Sequence, residues 1–200
     1  MKKTLIIIGV ILLIVIVVIV WPVSSMLGSY NKIVSMDEAV KSSWAQVENV
    51  YQRRLDLIPN LVNTVKGAAN FEKETLTQVI EARAKATQVT IDPSKMTEAN
   101  LQQFQAAQGQ VTSSLSRLLV SVEQYPQLRA TENFKELQSQ LEGTENRIAT
   151  ERRRFNEVTQ EYNSYIRKFF PRIMASWGNF KERPYFKAEA SAEKAPEVKF

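Results

Sequence analysis

The sequence predicts an all-α chain, in which an N-terminal transmembrane helix is followed by an elongated antiparallel up-and-down helical bundle with three long helices and a short fourth. Three observations carry this prediction. An unbroken apolar run lies near the start, and apolar residues recur at steps of three and four along most of the remainder. The strict alternation of apolar and polar residues that is typical of strands is missing from the sequence.

The apolar run extends from Leu5 to Val20, and no charged residue stands between Lys3 and Lys32. Residues 4–23 therefore supply about the 20 residues that a helix needs to cross a bilayer. A cleaved signal peptide is the alternative, but its apolar region would be about 7–15 residues long and a small-residue cleavage pattern would follow it. We expect an uncleaved anchor that contacts membrane lipid through residues 4–23.

The distribution of basic residues predicts the orientation of this anchor. Lys2 and Lys3 precede the run, whereas only Lys32 follows it closely. By the positive-inside rule the N-terminus stays in the cytoplasm and the chain beyond residue 30 lies on the extracytoplasmic side.

The first block of helical periodicity runs from about residue 36 to residue 88. Ser35 and Glu38 are spaced as a capping box that would open it. As one continuous helix, this block would be roughly 80 Å long. A second block of roughly 45 Å would leave part of it uncovered. The first block therefore either bends at Pro59 or packs against neighbouring copies, and we expect copies of the chain to associate laterally.

The second block follows the loop 89–97, where Asp92 before Pro93 predicts a helix start. It stops at Pro126, because the residue before a proline disfavours helix. The third block starts near Thr131 and ends at Pro171, and residues 173–180 would form the short fourth helix. Short connections predict antiparallel neighbours.

Several charged residues fall at inward positions of these blocks. A buried unpaired charge is costly, so they must pair or reach water. We expect an arginine to pair with a glutamate across the bundle and to fix the helix register. The members of this structural polar network are Arg54, Asp56, Glu72, Glu145 and Arg152. The alternative is a polar site in which the two glutamates bind a cation or transfer protons.

Pro59 interrupts the first block, because proline has no N–H and crowds the carbonyl of Leu55. We predict a helix bend at Pro59, with Asp56 as the cap of a restarted helix.

The composition excludes several kinds of active site. The 200 residues include no cysteine and no histidine, so thiol chemistry, Ser-His-Asp sites and histidine-based metal sites cannot be built. We predict no catalytic, cofactor-binding or metal-binding residues and no enzyme activity. The net charge of +5 is too small to predict nucleic acid as a partner.

Two basic clusters and the C-terminus are candidate contact regions. The first cluster is Arg152–Arg154, and the second comprises Arg167, Lys168, Arg172, Lys181 and Arg183. If the helices run up, down and up, the second cluster lies far from the anchor. Residues 187–200 read as a flexible tail, but the apolar Val198 and Phe200 near its end suggest a peptide that binds a partner.

Five motifs occur in a consistent order: YNKIV at 30–34, RRLDLIPNLVNTVKG at 53–67, EQYPQLRA at 123–130, LQSQLEGTENRIATERRRFNEVTQEYN at 137–163 and YF at 185–186. Together they resemble the LemA family of bacterial membrane proteins. The resemblance implies one N-terminal transmembrane helix and an up-and-down bundle, and it brings no catalytic residues. The expected domains are the anchor with its juxtamembrane segment at 1–29, a LemA-like bundle at 30–186 and the tail at 187–200.

The expected function is structural. A membrane-anchored scaffold that self-associates and organises the bacterial envelope is the first hypothesis. An adaptor or signalling module that binds a membrane protein, such as a protease or a sensor, is the alternative. Its expected location is the bacterial inner membrane, with the bundle on the periplasmic side.

Overall fold

The computed structural model describes residues 2–67 and 71–187. Both ranges are helical and neither contains a strand, so the all-α prediction is confirmed. A long apolar N-terminal helix precedes a helical bundle, as expected. The elements in chain order are α1 (Lys2–Val15), a π-helical turn (Ile16–Val20), α2 (Trp21–Lys66), α3 (Lys73–Gln88), a 3₁₀ turn (Pro93–Lys95), α4 (Glu98–Val122), α5 (Pro126–Arg129), α6 (Glu132–Ile166) and α7 (Phe169–Trp177).

The chain divides into two compact units. Unit 1 comprises Met1–Val40 and Glu157–Arg183, and unit 2 comprises Lys41–Asn156 and Pro184–Phe200. Helices α2 and α6 each contribute residues to both units. The predicted domain limits at residues 29 and 186 stay a prediction.

Unit 1 contains the apolar N-terminal stretch. Its large aliphatic side chains between Ile6 and Val20 are exposed wherever they are described. One helix in the described ranges is long and apolar enough to cross a membrane, judged by length and composition. This exposed apolar surface is suited to contact with lipid.

Helix α7 in unit 1 ends in a Schellman motif. The N–H of Phe180 donates to the carbonyl of Ala175 at 2.8 Å, and Asn179 has the positive φ of 55° that this motif places after the helix. Position 178, next to Asn179, requires a glycine, because a Cβ there would lie 2.5 Å from the Phe180 ring and 3.2 Å from the Tyr30 ring. The motif thus holds Phe180 against Tyr30, with ring centroids 5.9 Å apart.

Unit 2 has an aliphatic core to which α2, α3, α4 and α6 contribute. Because the apolar residues of each helix recur at steps of three and four, they line one face of it. The core residues include Leu61, Val65, Val79, Leu118 and Leu141.

An aromatic cluster forms a second part of the unit 2 core. Trp44 is fully buried, and its ring lies 5.3 Å from the ring of Phe104 and 5.7 Å from that of Phe155. Tyr51, two turns along α2, meets Phe104 edge-on at 5.0 Å. Such edge-to-face pairs add to the stabilisation from apolar burial.

The prediction of one continuous helix over residues 36–88 is wrong. Helix α2 begins at Trp21, so no capping box opens a helix at Ser35. It ends at Lys66, with Gly67 in a turn, and α3 starts afresh at Lys73. Within residues 21–67 and 71–187, the helices are α2, α3, α4 and α6 with the short α5 and α7, instead of three long helices and one short one. The 80 Å helix from which lateral association was predicted is therefore absent, although α2, with 46 residues, is still longer than α4, with 25.

Two other helix ends differ from the prediction. Asp92 does cap a start, since its carboxylate accepts from the Ser94 N–H at 2.8 Å, but the element is a 3₁₀ turn. Helix α4 begins only at Glu98, after a capping box between Thr97 and Asn100. Helix α6 stops at Ile166, and Pro171 lies within the first turn of α7, where a missing N–H costs little.

Candidate functional site

The guanidinium of Arg54 is the most deeply buried charge in the described chain, with an exposed fraction of 1%. Its Nη1 donates to Glu145 Oε1 at 2.8 Å and to Thr112 Oγ1 at 2.9 Å. Its Nη2 donates to the side-chain oxygen of Gln108 at 2.5 Å and to the carbonyl of the same residue at 3.2 Å. All four N–H groups on the two terminal nitrogens therefore have acceptors within the protein.

This arginine cluster joins three helices of unit 2. Arg54 comes from α2, Gln108 and Thr112 from successive turns of α4, and Glu145 from α6. The guanidinium also lies over the Tyr51 ring, 5.1 Å from its centroid. A one-residue slip of any of the three helices would leave a buried charge without its acceptors, so the cluster fixes their register.

A cavity of about 430 Å³ adjoins the arginine cluster. Polar and charged side chains form most of its lining, which includes Gln102, Gln105, Arg152 and Lys187 beside Tyr51 and Ile148. The two terminal nitrogens of Arg54 are engaged by protein acceptors, whereas its buried Nε has no acceptor in the described chain. The side chain of its counter-ion, Glu145, is 43% exposed. The arrangement is that of an internal ion pair open to solvent at one end.

The structure brings only two members of the predicted polar network together, Arg54 and Glu145. Glu72 is exposed before the first turn of α3, where it accepts from Thr75 Oγ1 at 3.2 Å. Its predicted inward position is wrong, because the helix ends at Lys66 and Glu72 lies just before α3. Glu72 and Glu145 line different cavities, so the predicted alternative of a two-glutamate site has no geometric support in the described ranges.

Asp56 is not part of the cluster either. It is exposed on α2 and accepts from Gln52 Nε2 at 2.8 Å, one helical turn away. Because α2 continues through Pro59 without a break, Asp56 caps no restarted helix. The bend at Pro59 stays a prediction. The carbonyl of Leu55, for which Pro59 has no N–H, accepts a bond from Arg83 Nε of α3 at 2.9 Å.

Arg152 belongs to a different contact, with the segment Pro184–Lys187, which we call the C-terminal strap. Its Nη2 donates to the Lys187 carbonyl at 3.1 Å, and its guanidinium lies 5.0 Å from the centre of the Phe186 ring. Val198 and Phe200, the predicted partner-binding residues, lie outside the described residues.

The strap is held on unit 2 by backbone and side-chain contacts that the sequence did not predict. Asn156 accepts from the Phe186 N–H at 2.9 Å and donates to the Phe186 carbonyl at 3.0 Å. The Phe186 ring stacks on Trp44 at 5.9 Å and meets Phe155 edge-on at 5.5 Å. Lys187 forms an ion pair with Glu98, which holds the pKa of that carboxyl below its usual range through the hydrogen bond and the positive charge.

Unit 1 contains a comparable contact. Asn163 accepts from the Arg183 N–H at 2.9 Å and donates to the Arg183 carbonyl at 2.8 Å. The Arg183 side chain forms a buried ion pair with Asp37 at 2.7 Å. A signal for both contacts exists in the sequence, because Asn156 and Asn163 are one heptad apart in a helix whose inward positions are otherwise mostly apolar.

A family model described as the LemA family matches residues 43–200. The chain belongs to the LemA family. The match includes the arginine cluster and the strap, and the apolar run lies before it. The predicted resemblance is thereby confirmed.

Individual relatives of this LemA-family chain are more distant. The magnetosome protein MamQ 2 of Paramagnetospirillum magneticum is 24% identical over 188 residues, which are 86% of this chain and 69% of the relative. The protein LemA of Metamycoplasma hominis is 23% identical over 149 residues, 74% of this chain and 64% of the relative. The magnetosome protein MamQ of Magnetospirillum gryphiswaldense is 25% identical over 181 residues, 82% of this chain and 66% of the relative. Together with the apolar helix, these similarities indicate a membrane-associated protein.

Proposed function

We propose that this chain is a membrane-anchored structural protein that self-associates and organises the bacterial envelope. The observation that carries the proposal is how the two terminal nitrogens of Arg54 are bonded. The most deeply buried charge of the described chain directs its four terminal N–H groups to acceptors on α4 and α6, and so serves the arrangement of the helices. The names of the relatives refer to magnetosomes or to the family, and none states a catalysed reaction.

The proposed location is the inner membrane, with the bundle on the extracytoplasmic side. The apolar stretch of unit 1 supports the membrane contact, and the lysines that precede it support the orientation. A reporter enzyme fused after residue 187 tests the orientation. We expect a reporter that is active only outside the cytoplasm to be active in this fusion. Activity of a reporter that works only in the cytoplasm would overturn the orientation.

Self-association would use the outer surface of the α3–α4 pair in unit 2. Val120 of α4 is 64% exposed, and Ile80 of α3 is also exposed. Val120 lines an open groove of about 500 Å³ with Gln78 and Arg117, whose side chains are hydrogen-bonded across the two helices at 3.0 Å. Val120 and Ile80 are the exposed large apolar residues of α3 and α4, so a contact between copies on this pair would bury them.

The lack of cysteine makes disulfide crosslinking a sharp test of self-association, because an introduced cysteine is the only one in the chain. We expect Val120→Cys to give a crosslinked dimer in native membranes under mild oxidation. The matched control is Ser139→Cys, at an exposed position of α6 in the same unit. Equal crosslinking at both positions, or none at Val120→Cys with a chain that runs as a monomer, would overturn this part of the proposal.

A second candidate function is an adaptor that binds an acidic region of a membrane-protein partner. Arg147 and Arg154 are exposed one heptad apart on α6, and Arg153 is exposed beside them. Three cations on one part of a helix surface favour an acidic partner. Crosslinking in cells distinguishes the two functions. A stoichiometric foreign protein that is lost with Arg147→Glu/Arg154→Glu supports the adaptor, and crosslinks between copies at Val120→Cys support the scaffold.

A further inference from the structure

Helix α7 of unit 1 presents a row of large apolar side chains to the outside. Phe169 is 76% exposed, Trp177 is 89% exposed, and Ile173 between them is also exposed. The three follow one another at intervals of four residues, so they lie on one face of the helix. We call these three residues the lipid stripe. The opposite face, with Pro171 and Ala175, is buried against the rest of unit 1.

The chemistry of this helix differs from that of an ordinary surface helix. Aromatic residues with both an apolar body and a polar edge, such as tryptophan, favour the level of lipid headgroups. Three exposed cations accompany the stripe: Lys168 at the N-cap, Arg172 within the helix and Lys181 shortly after it. We call these three the basic flank. Helices that lie in the membrane interface typically insert an apolar face into the bilayer and carry basic side chains along its border.

A contact within unit 1 places α7 beside the end of the membrane anchor. The ring of Phe170 meets the ring of Trp21 edge-on, with centroids 6.2 Å apart. Trp21 directly follows the apolar run, at the position where an anchor helix passes from hydrocarbon to headgroups. The expectation that the second basic cluster lies far from the anchor is therefore wrong. Of that cluster, Arg167 is bound to Glu182 and Arg183 to Asp37, which leaves the basic flank at the surface.

We propose that α7 is a second membrane-contacting element of this chain. The helix lies in the headgroup region of the bilayer that the anchor crosses, with the lipid stripe inserted among the acyl chains. The basic flank contacts the phosphates of anionic lipids. The inference depends on the anchor and is independent of self-association and of the adaptor function.

The test uses the full chain in nanodiscs and a spin label at Ile173→Cys, which is the only cysteine present. Molecular oxygen concentrates in the acyl region and a nickel chelate stays in water, so their collision rates with the label report its depth. We expect collisions with oxygen to dominate at position 173. At the control Ser164→Cys, an exposed position of α6 in the same unit, we expect collisions with nickel to dominate. Nickel dominance at position 173 would overturn the proposal.

Two comparisons separate the components of the proposal. Adding phosphatidylglycerol to phosphatidylcholine nanodiscs should increase the oxygen preference at position 173, and an unchanged ratio would overturn the role of the basic flank. Phe169→Ser/Trp177→Ser should return the label to water while circular dichroism shows an unchanged helix content, because both side chains are exposed. Spin–spin broadening, with low collision rates for both reagents, would show that a second copy covers the stripe and would overturn lipid contact.

Discussion

Arg83 donates from Nε to the backbone carbonyl of Leu55 at a distance of 2.9 Å. That carbonyl lies four residues before Pro59, which has no N–H to offer it. Leu55 is buried, so water is not an easy substitute for the missing donor. Pro59 leaves the Leu55 carbonyl of α2 without its helical donor, and Arg83 of α3 supplies a donor in its place. The two residues together attach α3 to α2.

The first prediction concerns this attachment. Arg83→Leu should lower the free energy of unfolding by about 1–3 kcal/mol, the usual cost of a buried acceptor that loses its partner. In a Pro59→Ala background the alanine N–H restores the helical bond to Leu55, so Arg83→Leu should then cost clearly less. A double-mutant cycle by chemical denaturation in detergent measures the difference. Equal costs in the two backgrounds would show that the arginine does not act through this carbonyl.

The second prediction concerns Glu145, the counter-ion of Arg54. Glu145→Leu should destabilise the chain by about 3 kcal/mol, because it leaves a buried guanidinium without opposite charge. The lower end of the usual range is expected, since the Glu145 side chain is 43% exposed. The double variant Arg54→Met/Glu145→Leu should be more stable than Glu145→Leu alone, since it removes the uncompensated charge as well. If Arg54→Met/Glu145→Leu is no more stable than Glu145→Leu alone, the ion pair does not fix the register of the helices.

These two clusters show what the sequence could and could not predict. The steps of three and four residues placed Arg54 and Glu145 on inward faces, because both lie in long helices that the pattern describes correctly. The same pattern placed Glu72 on the inward face, because apolar residues recur at steps of three and four on both sides of the break between α2 and α3. Spacing alone does not distinguish a continuous helix from two helices that keep the same steps. Gly67 followed by small residues was the available signal.

The strap and the lipid stripe were harder to predict for a different reason. The strap is extended and has no periodicity, so its contacts depend on where α6 places Asn156. Residues 173–180 were expected to form a short helix, but the exposure of Ile173 and Trp177 on one face of α7 depends on tertiary packing. Pro171 was interpreted as a helix end, although proline is tolerated in a first helical turn.

The third prediction concerns the hold of Asn156 on the strap. Asn156→Asp keeps an acceptor for the Phe186 N–H but replaces the donor to the Phe186 carbonyl with a negative charge. We expect a loss of about 1–3 kcal/mol and release of the strap from Trp44. Trp44 is the buried tryptophan of the three in the chain, so increased acrylamide quenching of the most protected emission reports its exposure. Asn146→Asp, at an exposed position of α6, is the control and should leave quenching unchanged.

The last prediction concerns the pH dependence of the strap. The hydrogen bond and charge of Lys187 lower the pKa of Glu98 from its ordinary value of 4.5. A carboxyl whose pKa is lower in the folded chain contributes stability above the unfolded pKa and loses it as the pH falls through the folded pKa. The Lys187–Glu98 pair should therefore hold at neutral pH and release the end of the strap below pH 4.5.

In carboxyl ¹³C NMR titrations, Lys187→Met should raise the Glu98 midpoint towards 4.5. The pKa of Glu182, lowered by a hydrogen bond from Arg167, should not change in that variant. If the midpoint of Glu98 is the same with and without Lys187, the pair does not hold the strap, and its attachment depends on the contacts of Phe186, Asn156 and Arg152.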